Sequence, residues 1–375
     1  DDSGKFTGNI LMTYPNGNEK LGRGFNYGGN TEAYSIHKTT DGSFVMAGAT
    51  SPGPGEASDF WLIKIDENGD GIWQKTYEGA GDDICESMQQ TSDGGFILFG
   101  LTNSFGAGGV DFWLVKTDED GNKIWDNTFG GEQDDEGRSL VLTSDGGYIL
   151  AGFTESFGAG GQDGYLVKTD ENGNEEWSQT FGTTEDENFR DVIESNDGGY
   201  IMVGTTNQNG NKDVLVIKTD STGNEIWNRI LGGEQSDIGR AICETSDGNY
   251  IITGGTKSWG ASAMDVLLVK IEDSGKTTEN KILNTPKFLL SNYPNPFKGE
   301  TKIRLNIELS GKYKLGIVDL MGREIKVLLN KFLPKGQHEI IWNRIGQDGA
   351  YANSGLYLVE LSGQRGKEVI KIILE

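Results

Sequence analysis

The chain holds 375 residues, with 57 glycines against seven prolines and only two histidines and two cysteines. That composition is rich in turns, and the length suits two or three average domains or one large all-β body with an appendage. The formal charge of −24 is uneven: residues 284–375 hold 14 Lys+Arg against 9 Asp+Glu, a net of +5, and residues 1–283 hold 19 against 48, a net of −29. So acidic a body repels nucleic acid and anionic membrane and excludes them as partners. Two histidines, His37 and His338, exclude a His-rich metal centre and argue against a Ser-His-Asp triad. No segment reaches the roughly 18 apolar residues of a membrane-spanning helix, so no membrane insertion is expected.

The first residues lack the charged, apolar and small-residue succession of a signal peptide, so Asp1 reads as the start of a mature form. A period of 52 or 50 residues then runs through three-quarters of the chain. Asp41, Asp93, Asp145, Asp197 and Asp247 each open an Asp-Gly turn on this beat. Asp59, Asp111, Asp163, Asp213 and Asp265 keep it, as do Lys64, Lys116, Lys168, Lys218 and Lys270, and Trp73, Trp125, Trp177 and Trp227. In the repeat 134–181, strands are predicted over 138–143, 148–154, 163–169 and 175–181, with a glycine-rich loop over 155–162 and tight turns over 144–147 and 170–174. Four antiparallel strands per unit make one blade of a β-propeller.

Complete units begin near Thr31, Asp82, Asp134, Glu185 and Gln235. A half-unit over 8–29 precedes them, with Met12 and Leu21 in place of the repeated Lys and Trp, and the last unit has Glu279 where a Trp is due. These defects are complementary. They predict a β-propeller over 1–283 whose five blades close when an N-terminal strand completes the last one, with six blades as the alternative.

The pattern Leu-Val-Lys-Thr-Asp-x-x-Gly-Asn-x-x-Trp at 114–125 and 166–177 resembles the blade motif of pyrroloquinoline-quinone-type propellers. In that family the Trp docks between blades, which implies that Trp73, Trp125, Trp177 and Trp227 are structural staples. Neither the quinone site nor its metal site is marked here, so no cofactor is expected.

After Leu283 the period stops, and 284–291 reads as a linker. Tyr293-Pro294-Asn295-Pro296-Phe297 then precedes apolar alternation over 302–307, 312–319, 336–342 and 354–360, which predicts a small β-sandwich of about seven strands over 292–375. This segment resembles the type A C-terminal sorting domain of the type IX secretion system, with those five residues as its sorting motif. The resemblance implies export by the type IX machinery of a Gram-negative bacterium and a secreted or cell-surface location. The domain is commonly removed after export, and its presence here suggests that it persists in the working molecule.

In a four-stranded blade the loops between strands two and three share a face with the connections between blades. That face gathers Asp82, Asp83, Asp134, Asp135, Asp186, Glu187 and Asp237, with Phe105, Phe157 and Trp259 of the glycine loops beside them. Carboxylates next to aromatics suit calcium, a carbohydrate or a partner protein; otherwise the acids cap turns and the aromatics pack between blades. The turns opened by Asp66, Asp118 and Asp170 begin like calcium loops but lack the closing glutamate, and they equally suit positive-φ β-turns. The repeated lysines are expected to pair with a blade-repeated aspartate, and Cys85 and Cys243 are expected to be buried free thiols.

No acid departs from the repeat as a catalytic group would. The sequence therefore reads as a non-enzymatic, exported structural or binding module. In one version it is the subunit of an extracellular polymer, assembling head-to-tail through its two unlike chain ends; in the other it is a monomeric adhesin that holds a glycan or protein on the acidic, aromatic face. A carboxylate-dependent glycan hydrolase is the remaining alternative.

Overall fold

The computed structural model describes residues 8–13, 19–25, 30–53, 55–208, 210–259, 264–274, 290–307, 310–319, 323–347, 349–363 and 366–375. Among them there is no helix. The chain divides into two compact units, Asp1–Asn280 and Lys281–Glu375. Glu279 and nearly all of the expected linker 284–291 lie outside the described residues.

In the first unit the strands are taken strictly in chain order. A hairpin of β1 (Gly8–Thr13) and β2 (Glu19–Phe25) comes first. The first four-stranded antiparallel sheet is β3 (Asn30–Lys38), β4 (Phe44–Ser51), β5 (Asp59–Ile65) and β6 (Gly71–Tyr77). The second is β7 (Asp83–Gln90), β8 (Phe96–Thr102), β9 (Asp111–Thr117) and β10 (Lys123–Phe129). The third is β11 (Asp135–Leu142), β12 (Tyr148–Thr154), β13 (Asp163–Thr169) and β14 (Glu175–Phe181), and the fourth β15 (Glu187–Glu194), β16 (Tyr200–Thr206), β17 (Asp213–Thr219) and β18 (Glu225–Leu231). The last sheet has three strands among the described residues, β19 (Asp237–Glu244), β20 (Tyr250–Thr256) and β21 (Asp265–Ile271).

The expected closure of that last sheet by an N-terminal strand is corrected here. β1 pairs with β2, from Gly8↔Phe25 to Thr13↔Glu19, and among the described residues neither strand pairs with β21. The two occupy the places of a unit's third and fourth strands, which bond to each other in every complete unit. The same local hairpin joins them here.

β8, β9, β12, β13, β16 and β17 are buried at every position. Each sheet thus has two apolar faces, and sequence neighbours cover them. Phe99, Phe112 and Leu114 of the second sheet share one core with Leu140, Leu150 and Tyr165 of the third, and the other junctions are built alike. The first strands touch in succession, β3 on β7, β7 on β11, β11 on β15 and β15 on β19.

Each repeated tryptophan lies on the fourth strand of its sheet and packs against the following sheet. Trp73 meets Phe96, Trp125 meets Tyr148, Trp177 meets Tyr200 and Trp227 meets Tyr250, with ring centroids 6.1, 6.2, 5.9 and 6.4 Å apart. Three of these rings also seat on a turn glycine of the next unit. A Cβ on Gly173 would stand 2.6 Å from the Trp125 ring, so only glycine fits beneath it.

The second unit has seven strands: β22 (Ser291–Tyr293), β23 (Thr301–Ile307), β24 (Gly311–Asp319), β25 (Glu324–Leu333), β26 (Gly336–Trp342), β27 (Gly355–Gly363) and β28 (Gly366–Leu374). They form two antiparallel sheets, ordered β22-β23-β26 and β25-β24-β27-β28, over one core that includes Ile303, Leu305, Ile317, Trp342 and Val359.

Two turn glycines of the third unit separate backbone strain from packing. Gly146 has φ +94° with nothing within 4 Å of a Cβ, whereas Gly173 has φ +77° beneath Trp125. Gly146→Ala should cost about 1 kcal/mol and Gly173→Ala at least about 2 kcal/mol. Urea midpoints measured side by side would give that order; equal losses would mean that the tryptophan contact carries no load.

Candidate functional site

The structure brings the predicted acids and aromatics to one end of the sheets, yet uses most of the acids internally. Asp83, Asp135, Glu187 and Asp237 are the first residues of β7, β11, β15 and β19, and all are buried. Thr102 and Ser104 donate their hydroxyls to Asp83. Asp135 accepts the Gly131 amide at 2.7 Å and the Ser156 hydroxyl at 2.8 Å. Glu187 accepts the Thr183 amide at 2.6 Å, and Asp237 accepts the Ser258 hydroxyl at 2.6 Å. These four carboxylates tie each glycine loop to the connection between sheets and are not presented to solvent.

The preceding acids do the same work at the surface. Asp82, Asp134 and Asp186 accept the amides of Ser58, Val110 and Gln162 at 2.9, 2.9 and 3.3 Å. Beside them lies a second series that sequence reasoning read only as a beat. Asp111 and Asp163, at the starts of β9 and β13, are 1 % exposed. Asp111 Oδ1 and Asp135 Oδ2 crowd the spot where a Cβ on Gly130 would sit, at 2.0 and 2.5 Å, so carboxylates of adjacent sheets face each other across a glycine. Burial pushes the carboxyls of Asp83, Asp111 and Asp163 upward, and the charge of Asp135 adds to the rise at Asp111.

Phe105 and Phe157 are 40 % and 45 % exposed, with their remaining surface on Trp113 and Tyr165 at centroid distances of 5.2 and 5.7 Å. Trp259 is half-buried against the core of the last junction. Phe157 walls a cleft of about 410 Å³ with Gly130, Tyr165, Glu175 and Gln179.

At the opposite end of the sheets each repeated lysine meets the aspartate of its own Asp-Gly turn. Lys64 reaches Asp41 at 2.8 Å, Lys116 reaches Asp93 at 2.9 Å, Lys168 reaches Asp145 at 3.0 Å, Lys218 reaches Asp197 at 2.6 Å and Lys270 reaches Asp247 at 2.5 Å. Lys64 holds Asp41 well below the usual carboxylate range. Burial pushes Asp93, Asp145 and Asp197 up, but their threonine or serine hydroxyls and their lysines outweigh it and leave each at about 2.

The turns with calcium-like openings spend their carboxylates on themselves. Asp118 accepts the amides of Asp120 and Asn122 at 3.0 and 2.8 Å and the Asn122 side-chain amide at 2.9 Å, and Asp170 repeats the pattern. Among the described residues no group of three or more His, Cys, Asp or Glu could hold a metal ion. Cys85 and Cys243 are free, but Cys243 is exposed, which corrects the expectation of two buried thiols. It alternates with buried Ile242 on β19 and so takes the other side of that strand.

One set of residues was missed by reading the repeat. In every first strand the register slips at a single residue: Tyr34, Glu86, Arg138, Arg190 and Arg240. Their spacings of 52, 52, 52 and 50 are visible in the sequence, but their chemistry does not repeat and so raised no signal.

In the second unit, the motif residues seal the chain's last strand. The Asn295 side chain donates to the Lys371 carbonyl at 3.0 Å and accepts the Ile373 amide at 2.8 Å. Phe297 is 2 % exposed against Trp342 and exchanges backbone bonds with Ile373 and Glu375. Pro294 accepts the Thr301 hydroxyl at 2.8 Å, and Tyr293 remains 74 % exposed.

Residues 291–375 match the family model described as a secretion system C-terminal sorting domain. This segment is the type IX sorting domain. It follows a region of repeated four-stranded β-sheets and marks the chain as a secreted or cell-surface protein of a Gram-negative bacterium, exported by the type IX system. Over 200 aligned residues the chain is 27 % identical to the regulatory protein FlaEY of Caulobacter vibrioides; the match covers 46 % of this chain and 21 % of FlaEY, so the chain spans about a fifth of that relative's length. Among solved structures it is similar to PorZ, an essential surface component of the type IX secretion system of Porphyromonas gingivalis, at 12 % identity and a TM-score of 0.40, over 99 % of this chain and 56 % of PorZ. It is also similar to the Neurospora crassa Pan2 WD40 domain, at 12 % identity and a TM-score of 0.45 over 90 % and 88 % of the two chains. An exo-β-1,3-galactanase from Phanerochaete chrysosporium gives 10 % identity and a TM-score of 0.37 over 98 % and 99 %.

The two carboxylate sets act oppositely on stability as pH falls. Asp93, Asp145 and Asp197 titrate at about 2 when folded, below the unfolded value of about 3.9. Their contribution is therefore present above about pH 4 and is lost as pH drops toward 2. Asp83, Asp111 and Asp163 are raised above the unfolded value, so their protonation favours the folded state as pH falls from neutrality. Above about pH 4 the raised set should make melting temperature hold or rise as pH falls, and below it the loss of the lowered set should make it fall steeply. Asp111→Asn and Asp163→Asn should flatten the rise, and a monotonic fall from pH 7 in the unaltered chain would contradict the assignment.

Proposed function

We propose that this chain is an exported, non-enzymatic repeat scaffold that associates with further copies of itself, head to tail, through the open end of its sheet stack. One observation carries the reading: among the described residues, the last sheet exposes an apolar face that is buried in the sheets before it. Val266 and Leu268 on β21 are 86 % and 42 % exposed, whereas Phe60, Phe112 and Val214 at the first of these positions and Leu62, Leu114, Leu166 and Val216 at the second are 0 % exposed. At the other end of the stack Ile36 is 55 % exposed, whereas Met88, Leu140, Val192 and Ile242 at that position are at most 5 % exposed. The last sheet also lacks a fourth strand among the described residues, so β21 has a free edge. Two unlike faces, each shaped like one side of a sheet junction, favour a heterologous contact that propagates, and a free strand edge lends it backbone bonds. The repeated acids support the non-enzymatic part of the reading, since each of Asp83, Asp135, Glu187 and Asp237 is buried and accepts amides or hydroxyls of the loops.

The full chain should form assemblies heavier than the monomer by light scattering and regular particles by electron microscopy. Val266→Glu with Leu268→Glu puts two charges into an apolar contact and should weaken association by about 100-fold or more without lowering secondary structure. A wild-type chain that stays monomeric at all accessible concentrations would sink this reading. It would leave the second one, a monomeric adhesin, favoured by the exposed edge of Phe157 over its cleft; there Phe157→Ala should weaken ligand binding roughly tenfold while leaving the fold intact.

A further inference from the structure

The bulged residues of the first strands form a row that packing does not account for. A β-bulge takes one residue out of the ladder and re-aims its side chain. Here the fold repeats that device five times at one position. Cys85 and Phe189, just before two of the bulges, are fully buried. Just after them, the Ser139 hydroxyl donates to Asp191 at 2.9 Å, and Asp191 accepts the Ile242 amide at 2.9 Å, bonding each first strand to the next. The bulged position changes from Tyr34 through Glu86 to Arg138, Arg190 and Arg240.

The side chains of the row sense one another across the sheets. Arg138 is forked between Glu86 and Glu136. The Tyr34 hydroxyl bonds to Glu32 and lies in the fields of Glu86 and Arg138. Arg190 lies in the fields of Arg138, Arg240, Glu86 and Glu136. Arg190 and Arg240 are exposed and, among the described residues, make no ion pair or hydrogen bond through their side chains. On the same strands, Arg138 Nε and Asn188 Oδ1 are buried without a hydrogen-bond partner. Residues 1–283 carry a net charge of −29, so three neighbouring guanidiniums run against the charge of the whole region.

We propose that this row binds an acidic saccharide, with Arg190 and Arg240 taking its carboxylate or sulfate group and Tyr34 presenting a ring to the chain of sugars. A guanidinium is a planar fork that matches either oxyanion with two parallel bonds. An exposed aromatic ring is an apolar platform with a polar edge. A row that crosses five first strands suits an extended ligand better than a lone ion, which would occupy only its arginine end. Export brings the site to the compartment where acidic polysaccharides are met. The proposal uses none of the residues at the open end of the stack, so it stands or falls apart from self-association.

Calorimetric titration of the full chain with oligogalacturonate, dextran sulfate and neutral dextran tests it. At least one acidic probe should bind, neutral dextran should bind at least about tenfold more weakly, and the preferred acidic probe identifies the oxyanion. The double variant Arg190→Gln with Arg240→Gln should lose about 30-fold or more, with an unchanged circular dichroism spectrum because both side chains are exposed. Arg190→Lys should keep part of the affinity, and Lys123→Gln on β10, which removes one exposed charge elsewhere, should stay within about twofold. The proposal is overturned if no acidic probe binds, if the double variant binds like the unaltered chain, or if Lys123→Gln loses as much as the arginine variants.

Discussion

A sheet whose central strands are buried at every position has two apolar faces, and neither can be left in water. That constraint shapes the first unit. β8 and β9 are buried along their whole length, so the second sheet needs the first on one side and the third on the other. The hydrophobic effect, at about 25 cal/mol for each Å² of apolar surface removed from water, thus acts between repeats more than within them. Stability of this kind is summed over neighbour contacts. The tryptophans extend the same logic to the outer edge, where each ring bridges to the next sheet and rests on its turn.

The polar groups sort to the two ends of the sheets, and each end solves a different problem. At the end bearing the Asp-Gly turns, a lysine emerging from an apolar strand needs a counter-charge, and the turn aspartate of the same unit supplies it. At the other end, connections between sheets leave backbone amides and hydroxyls without strand partners. Buried carboxylates gather these donors in place of a ladder. An unpaired buried carboxylate is costly, and each of these acids accepts at least one loop donor. It also explains why a face that looks like a ring of ligands on paper is largely consumed by the fold.

Positions that obey the repeat are therefore committed to packing, and function is to be sought where the repeat is broken. Two breaks stand out in the first unit. Among the described residues the last sheet has three strands in place of four and exposes Val266 and Leu268, and the bulged residues run from a tyrosine through a glutamate to three arginines. The second unit is a separate matter. Its motif residues are structural in the folded domain, because Asn295 and Phe297 tie the segment to the final strand, while Tyr293 remains outside.

The sequence by itself determined the strand pattern and the sorting domain. Turn chemistry and the alternation of apolar residues are local, and a period of 52 or 50 residues multiplies each local signal. Trp125 and Lys168 could be read as structural because they recur on that beat. What only the tertiary structure decided is which side chains the sheets bring together. Asp83 and Asp135 read as loop acids until the strands were seen to begin at them and bury them. The pairing of β1 with β2 in place of β21 is a choice among equally strand-like partners, which composition cannot rank. The row from Tyr34 to Arg240 exists only because a one-residue slip in register aims five dissimilar side chains the same way, and register is a property of paired strands that a single strand's sequence does not carry.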